Sequence, residues 1–298
     1  MHGAFSNLRL YTDGPAVAAG TSAEMPALPE ASPPRPDPVA LANHELIRPP
    51  TYNRGHRHLE PFSEAWFEEL EQKRYARHGG WLSAALEFGR HPGESVLLIH
   101  PGIGSDACRY LREGSEVTVA ATPADQPELI RANLARHGQT ARIVPATGPA
   151  LPFPDGTFDV AVVNALHTAP DLPPLADELY RVLKARGKVI GLFPARFDAG
   201  YWQDLFLPYQ HLYWRRPPDP TTAPKTTARQ LKAVFARFAD HRIGKRHLRR
   251  SELPHVCRVL PLAVLERLFG RVLVLKAFKP ITARTATMPA LPPDSLAA

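Results

Sequence analysis

Cysteine is scarce in this chain of 298 residues, which contains only Cys108 and Cys257. Because there is no CxxC pair and no cluster of cysteine with histidine, the sequence argues against a disulfide framework and against a cysteine-based zinc site. We expect no metal ion. So few cysteines suit a reducing compartment, and we therefore expect a cytoplasmic protein.

Long apolar runs are also missing. No stretch reaches the length of about 18 apolar residues that a membrane-spanning helix needs, so none is predicted. Residues 1–14 lack a basic region followed by an apolar run, and we expect no signal peptide. No internal repeat and no nucleic-acid-binding motif is visible, so neither a repeat array nor a nucleic-acid partner is expected.

Proline, in contrast, is abundant, with 33 residues concentrated at the two ends and in one internal loop. Residues 1–55 combine proline, alanine and small polar residues and cannot bury enough apolar surface to offset the entropy of ordering. Residues 282–298 have the same character. We predict two disordered tails around one folded domain, residues 56–281.

Strand-like and helix-like segments alternate along that domain. Residues 95–99 form a short apolar run without alternation, as expected of a strand buried on both faces of a parallel sheet. Further strands are predicted at 116–121, 142–145, 159–164, 188–193, 241–248 and 271–278, and helices at 64–70, 81–88, 106–113, 124–136, 175–183 and 262–269. This rhythm predicts an α/β fold with helices on both faces of the sheet, closed by a hairpin-like pair of strands.

A glycine-containing loop, residues 100–106, joins the first strand to the next helix. Gly102 and Gly104 let a ligand approach the backbone closely, and a helix N-terminus favours an anionic group. The same pattern fits a dinucleotide-binding loop, or a tight turn that holds no ligand. Pro101 predicts an extended backbone at His100, because a residue before proline avoids the helical region.

Several segments resemble S-adenosylmethionine (SAM)-dependent methyltransferases of the type 11 group, the ubiquinone/menaquinone-biosynthesis-like enzymes. The segments are VLLIHPGIGSD (96–106), DQPELIRAN (125–133), LPFPDGTFD (151–159), NALHTAPD (164–171) and ELYRVLK (178–184). The resemblance covers about residues 59–280. It implies a Rossmann-like, seven-stranded, mostly parallel sheet whose last strand is antiparallel, with residues 195–230 as an aromatic-rich insert. It also implies SAM as cofactor, near His100, Gly102, Gly104, Asp106, Ala121, Thr122, Thr147 and Asn164.

Some of these positions depart from the family's pattern. Leu98 and Ala121 stand where the family has acids that contact the amino group and the ribose of SAM, and Thr147 aligns with an aspartate near the adenine. His100 stands where the family has a glycine. Each lost hydrogen bond to a charged group costs roughly 1.5–3 kcal/mol, so losing two or three weakens SAM binding about a thousand-fold.

The sequence therefore leaves two functions open. The first is a SAM-dependent methyltransferase that acts on an unidentified small, partly apolar acceptor. The alternative is a non-catalytic methyltransferase-fold protein, a scaffold or a binder of another ligand, that has lost SAM binding. A nicotinamide-dependent oxidoreductase is a third possibility, but it too needs an acid at the end of the second strand.

Three features outside the loop bear on function. His167 follows the fourth strand, where ligands collect in such sheets, and is the candidate general base or a packing residue. The aromatic insert predicts either a core-facing helical stripe or a lid over an apolar or aromatic substrate. The residues at helical spacing are Trp202, Leu205, Phe206 and Tyr209. The basic run 241–250 predicts contact with phosphate or anionic lipid, or an edge strand protected by charge.

Overall fold

The computed structural model describes residues 62–72, 74–75, 80–122, 127–146, 150–166, 170–206, 224–248 and 260–281, without the side chains of residues 203, 204 and 206. The two predicted disordered tails lie outside these residues and stay predictions.

Seven strands form a single sheet. They are β1 (Ser95–Ile99), β2 (Glu116–Ala121), β3 (Arg142–Pro145), β4 (Phe158–Asn164), β5 (Leu183–Pro194), β6 (Ala239–Arg246) and β7 (Val272–Phe278). The strand order is β3-β2-β1-β4-β5-β7-β6. The first five strands in this order, β3 through β5, pair in parallel. Strand β7 runs antiparallel to both β5 and β6. This topology confirms the predicted fold class and the antiparallel last strand.

Eight α-helices accompany the sheet in the described part of the chain. They are α1 (Glu64–Gln72), α2 (Gly80–Leu86), α3 (Ser105–Arg112), α4 (Pro127–Arg136), α5 (Leu172–Val182), α6 (Ala199–Phe206), α7 (Ala228–Val234) and α8 (Leu262–Phe269). The Ser63 hydroxyl accepts a hydrogen bond from the Trp66 backbone N–H at 3.3 Å, as its position before α1 predicts. Helix α7 was not predicted, although Thr227 and Gln230 form a complete capping box at its start.

Apolar side chains fill both faces of the sheet. Alternation along β1 directs Val96 and Leu98 into a cluster with α2, α3 and α4, and Leu97 and Ile99 into a second cluster with α5 and α7. The four side chains are at most 2% exposed. Their burial on both sides explains why β1 lacks an alternating pattern and confirms the prediction of helices on both faces.

Strand β5 starts earlier than predicted, at Leu183 instead of Lys188. Phe158 pairs with Leu183 but Val160 pairs with Lys188, so the residues between form a bulge. At Gly187 a Cβ atom would lie 2.8 Å from the Lys184 carbonyl oxygen. Gly187 therefore permits a close backbone approach inside a strand.

The two segments that resemble the family most closely contact each other at the amino edge of the sheet. Arg181 of α5 donates hydrogen bonds to the carbonyl oxygens of Phe153 and Leu151 at 2.7 and 2.9 Å, and to Asp155 at 2.8 Å. Glu178 accepts a hydrogen bond from the Leu151 backbone N–H at 2.7 Å. LPFPDGTFD and ELYRVLK thus hold the entry into β4 and lie opposite the carboxyl edge, where a ligand is expected.

Candidate cofactor site at the carboxyl edge of the sheet

The chain reverses its direction of strand addition at β1, which lies between β2 and β4. In open α/β sheets this switch point forms a crevice at the carboxyl ends of the strands, where ligands bind. The loop after β1 is residues 100–104, Thr122 follows β2, and Asn164 ends β4. Ile99 pairs with Ala120 and with Val163. The sheet therefore places the predicted cofactor residues of three strands at one edge.

The backbone of the loop is left-handed at three positions: φ is 55° at His100, 62° at Gly102 and 83° at Gly104. The predicted extended backbone at His100 is therefore wrong, because the turn out of β1 overrides the local effect of Pro101. The resembling family has a glycine at this position. A non-glycine residue in this region costs roughly 1–2 kcal/mol. The His100 Nδ1 atom lies 3.2 Å from the Thr122 hydroxyl, which links the loop to the end of β2.

The loop is held from behind by helices α1 and α4. Ile103 is fully buried in a cluster with Trp66, Phe67 and Leu129. Its carbonyl oxygen accepts a hydrogen bond from the buried Asn133 amide at 3.0 Å. This packing and this hydrogen bond fix the loop conformation, which lowers the entropy that binding a ligand would cost.

Gly104 owes its identity to packing as well as to backbone conformation. A Cβ atom there would lie 2.9 Å from Cγ2 of Ile130 on α4. A Cβ atom this close would force the Ile130 side chain to move. Gly104 thus allows α3 and α4 to approach, and its presence is no evidence of a bound nucleotide by itself.

Asp106 lies in the first turn of α3 and is 3% exposed. Its Oδ1 accepts hydrogen bonds from Arg74 Nε at 3.1 Å and from the Tyr75 hydroxyl at 2.6 Å, and its Oδ2 accepts one from Arg74 at 2.5 Å. Both carboxylate oxygens are therefore engaged by the protein. No sequence pattern links Asp106 to partners 31 and 32 residues away, so this buried ion pair could not be foreseen.

Some polar atoms near this edge are buried without a hydrogen-bond partner among the described residues. They include Oγ of Ser105, the first residue of α3, and Oδ1 of Asn164, the last residue of β4. Buried polar atoms are nearly always paired, so an orphan calls for an explanation such as an absent ligand. These two atoms and the N-terminus of α3 fit a polar ligand such as SAM.

Two of the positions that depart from the family's pattern are buried. Leu98 is 1% exposed and pairs with Val119 and Val162 in the core. Ala121, at the end of β2, is 6% exposed. Thr147 and His167 lie outside the described residues, and their roles stay predictions.

Three side chains with metal-binding chemistry approach one another elsewhere in the described part of the chain. Glu71, Cys108 and His137 place ligand atoms within 4.8 Å of one another. Arg136 already lies 3.7 Å from the Glu71 carboxylate and 3.2 Å from Nε2 of His137. Burial raises the pKa of the Cys108 thiol to about 12, helped by the nearby Glu71 carboxylate. A guanidinium and a neutral thiol are poor surroundings for a metal ion.

The insert and the basic run are described in part. Trp202 on α6 packs against Phe269 of α8, with 6.3 Å between ring centroids, but Leu205 is 55% exposed. The predicted core-facing stripe therefore fails at Leu205. Strand β6, which contains residues 241–246 of the basic run, lies at the edge of the sheet, as the edge-strand interpretation predicts.

Comparison with known proteins agrees with this geometry. A family model described as a methyltransferase domain matches residues 99–191, which run from the end of β1 into β5. The match confirms the resemblance found in the sequence. A search of curated protein sequences found no match.

Solved structures of similar proteins include three with low identity. The YcgJ protein of Bacillus subtilis is 17% identical over 68% of this chain and 99% of its own, with a TM-score of 0.47. A SAM-dependent methyltransferase from Methanosarcina mazei is 18% identical over 65% and 96%, with a TM-score of 0.44. Another from Archaeoglobus fulgidus is 16% identical over 72% and 100%, with a TM-score of 0.46.

Among the helices that the structure describes, none has both the length and the apolar composition that a membrane span requires.

Proposed function

We propose that this protein is a SAM-dependent methyltransferase that transfers a methyl group to a small, partly apolar acceptor. One observation carries the proposal: a loop with three left-handed residues follows β1 at the switch point of the sheet, within the part of the chain that matches a methyltransferase-domain model. The orphaned Ser105 and Asn164 oxygens support it, because they offer hydrogen-bond acceptors at the same edge. A cytoplasmic setting stays part of the proposal.

Bound SAM would supply an activated methyl group on a sulfonium, so the protein needs little covalent chemistry of its own. The loop backbone and the N-terminus of α3 would hold the carboxylate end of the cofactor. Asn164, Ser105 and Thr122 would hold its other polar groups. The chain would align the acceptor with the methyl carbon and exclude water. His167 is the proposed base where the acceptor atom must lose a proton.

The alternative function, a methyltransferase fold that no longer binds SAM, is favoured by one observation. Leu98 and Ala121 are buried apolar residues where the resemblance places two acids. A protein of this kind would keep the fold and the loop because they stabilise the sheet edge, and would bind another ligand or a protein partner.

Titration calorimetry of the full chain with SAM and with S-adenosylhomocysteine distinguishes the two functions. The methyltransferase should bind both ligands, with S-adenosylhomocysteine competing for SAM. An absence of heat at millimolar ligand, with no change in thermal stability, would contradict the enzyme and support the alternative, because a bound ligand must stabilise the folded state.

Ala121→Asp provides a sharper test of the missing ribose contact. A carboxylate at the end of β2 should tighten SAM binding about tenfold or more, since a hydrogen bond to a charged group is worth roughly 1.5–3 kcal/mol. The matched control is Ala150→Asp, which adds the same charge at an exposed position before β4 and should leave the affinity unchanged. Leu98 is a poor place for a second acid, because an unpaired charge in that core would destabilise the fold.

A further inference from the structure

The exposed large apolar side chains of the described chain concentrate in one place. Eight such side chains are at least 37% exposed, and seven of them lie on α6 and α8 or just before these helices. We call these seven the apolar face: Phe197, Tyr201, Leu205, Leu260, Leu262, Val264 and Leu268. The eighth, Ile281, lies near the end of the described chain. Scattered apolar residues are normal on protein surfaces, but a concentration of this kind marks an interaction site.

The two helices form one continuous surface. Ala199 of α6 packs in a common cluster with Leu265 and Phe269 of α8. The Lys245 ammonium donates hydrogen bonds to the carbonyl oxygens of Phe197 at 2.7 Å and Leu268 at 2.9 Å, which joins the start of α6 to the end of α8. The apolar face is therefore a fixed feature of the fold.

Helix α8 exposes apolar side chains beside its buried side. Leu265 points inward and is fully buried, whereas Val264 and Leu268 are 45% and 50% exposed. Because Val264 and Leu268 are four residues apart, they lie on the same face of the helix. This exposed face of α8 is part of the apolar face.

The apolar face lies at the carboxyl edge of the sheet, as does the candidate cofactor site. Pro194, the last residue of β5, pairs with Val272, the first residue of β7. Helix α6 follows β5 and α8 precedes β7, so both helices attach to this edge.

Positive charge flanks the apolar face. Arg196, Arg246 and Arg267 are exposed. Two acids nearby whose side chains the structure describes are shielded: Asp198 is 7% exposed and pairs with Lys225 at 2.8 Å, and the Glu266 side chain is 15% exposed beside Arg246. A second copy of the chain docking on the same face would bring like charges together, which disfavours a symmetric dimer.

We propose that the apolar face docks this protein on the surface of an anionic lipid bilayer. Apolar side chains that enter the boundary between headgroups and acyl chains leave water, while flanking arginines attract anionic headgroups. The docked protein would rest on the membrane without crossing it, with the carboxyl edge of its sheet close to the lipid. This inference does not depend on SAM binding.

Sedimentation of the full-length protein with lipid vesicles tests the proposal. We expect the protein to pellet with vesicles of phosphatidylcholine and phosphatidylglycerol, more weakly with phosphatidylcholine alone, and less as salt rises, because salt screens the headgroup attraction. The variant Val264→Ser/Leu268→Ser should bind at least about tenfold more weakly, since each side chain gives up apolar burial. The matched control Ile281→Ser removes an equally exposed apolar side chain outside the apolar face and should bind as the parent chain does.

Three outcomes would overturn the proposal. The parent protein stays in the supernatant with both kinds of vesicle, the double variant binds as tightly as Ile281→Ser, or neutral and anionic vesicles bind it equally. Light scattering on the same samples identifies a rival occupant: a dimer that the double variant abolishes, without any lipid binding, would assign the apolar face to a second copy. Because both substituted side chains are half exposed, circular dichroism should show an unchanged fold.

Discussion

At the scale of the residue, the stabilising contacts of two family motifs and the candidate cofactor contacts lie at opposite edges of the sheet. Arg181 and Glu178 stabilise the loop before β4 at the amino edge, and Ser105 and Asn164 leave buried oxygens unpaired near the carboxyl edge. The motifs LPFPDGTFD and ELYRVLK, which resemble the family, therefore supply contacts that stabilise the fold. The residues that would bind a cofactor are less specific in type, which is why the sequence predicts the family more readily than the site.

Arg181→Gln tests this separation. We expect the free energy of unfolding to fall by about 2–4 kcal/mol, because two carboxylates and two loop carbonyl groups lose their donor, and the affinity for SAM to stay the same. Arg237→Gln is the matched control, since Arg237 pairs with Asp177 on the exposed surface and should cost at most about 1 kcal/mol. Urea denaturation and calorimetry measure both quantities. A large change in SAM affinity with unchanged stability would show that Arg181 acts on the site instead.

At the scale of the element, local patterns predicted most strands within one or two residues, because burial on both faces leaves a continuous apolar run in the sequence. Features that depend on distant contacts were missed. The early start of β5 depends on a bulge against β4, and the left-handed His100 depends on how β1 turns into α3. Helix α7 could have been found from the spacing of Thr227 and Gln230 alone.

The contact between α3 and α4 gives a prediction at this scale. Gly104→Ala should lower the free energy of unfolding by about 2–4 kcal/mol, the sum of a left-handed backbone penalty and a close contact with Ile130. Gly138→Ala shares the positive φ, 64°, but has no atom within 4 Å of the added Cβ, and should cost only about 1 kcal/mol. Equal losses in thermal or urea unfolding would mean that backbone conformation, and not helix packing, selects glycine at position 104.

At the scale of the whole molecule, Glu87 joins distant parts of the chain. This carboxylate is 8% exposed and forms ion pairs with Lys188 of β5 and Lys276 of β7. Burial alone would raise its pKa, but the hydrogen bonds from the two lysines outweigh burial and lower the pKa from 4.5 to about 2. Pairs 101 and 189 residues apart cannot be predicted from local patterns.

This lowered pKa predicts a loss of stability in acid. Because the folded protein holds the charged form more strongly than the unfolded chain does, the contribution is fully present above pH 4.5 and is lost as the pH falls toward 2. Its size is on the order of 2 kcal/mol. Glu87→Gln should therefore show a shallower decline of the free energy of unfolding between these pH values, measured by urea titration. An unchanged slope would assign acid sensitivity to other carboxylates.

The burial of Cys108 makes the alkylation rate of its thiol a measure of how often the fold opens. Its sulfur is fully buried next to Glu71 of α1, and its neutral thiol resists alkylation while the fold is closed. In a Cys257→Ser chain, the rate of alkylation would therefore report local opening of the helices that pack behind the glycine loop. A ligand that binds in that loop would lower the alkylation rate, even where it releases too little heat for calorimetry.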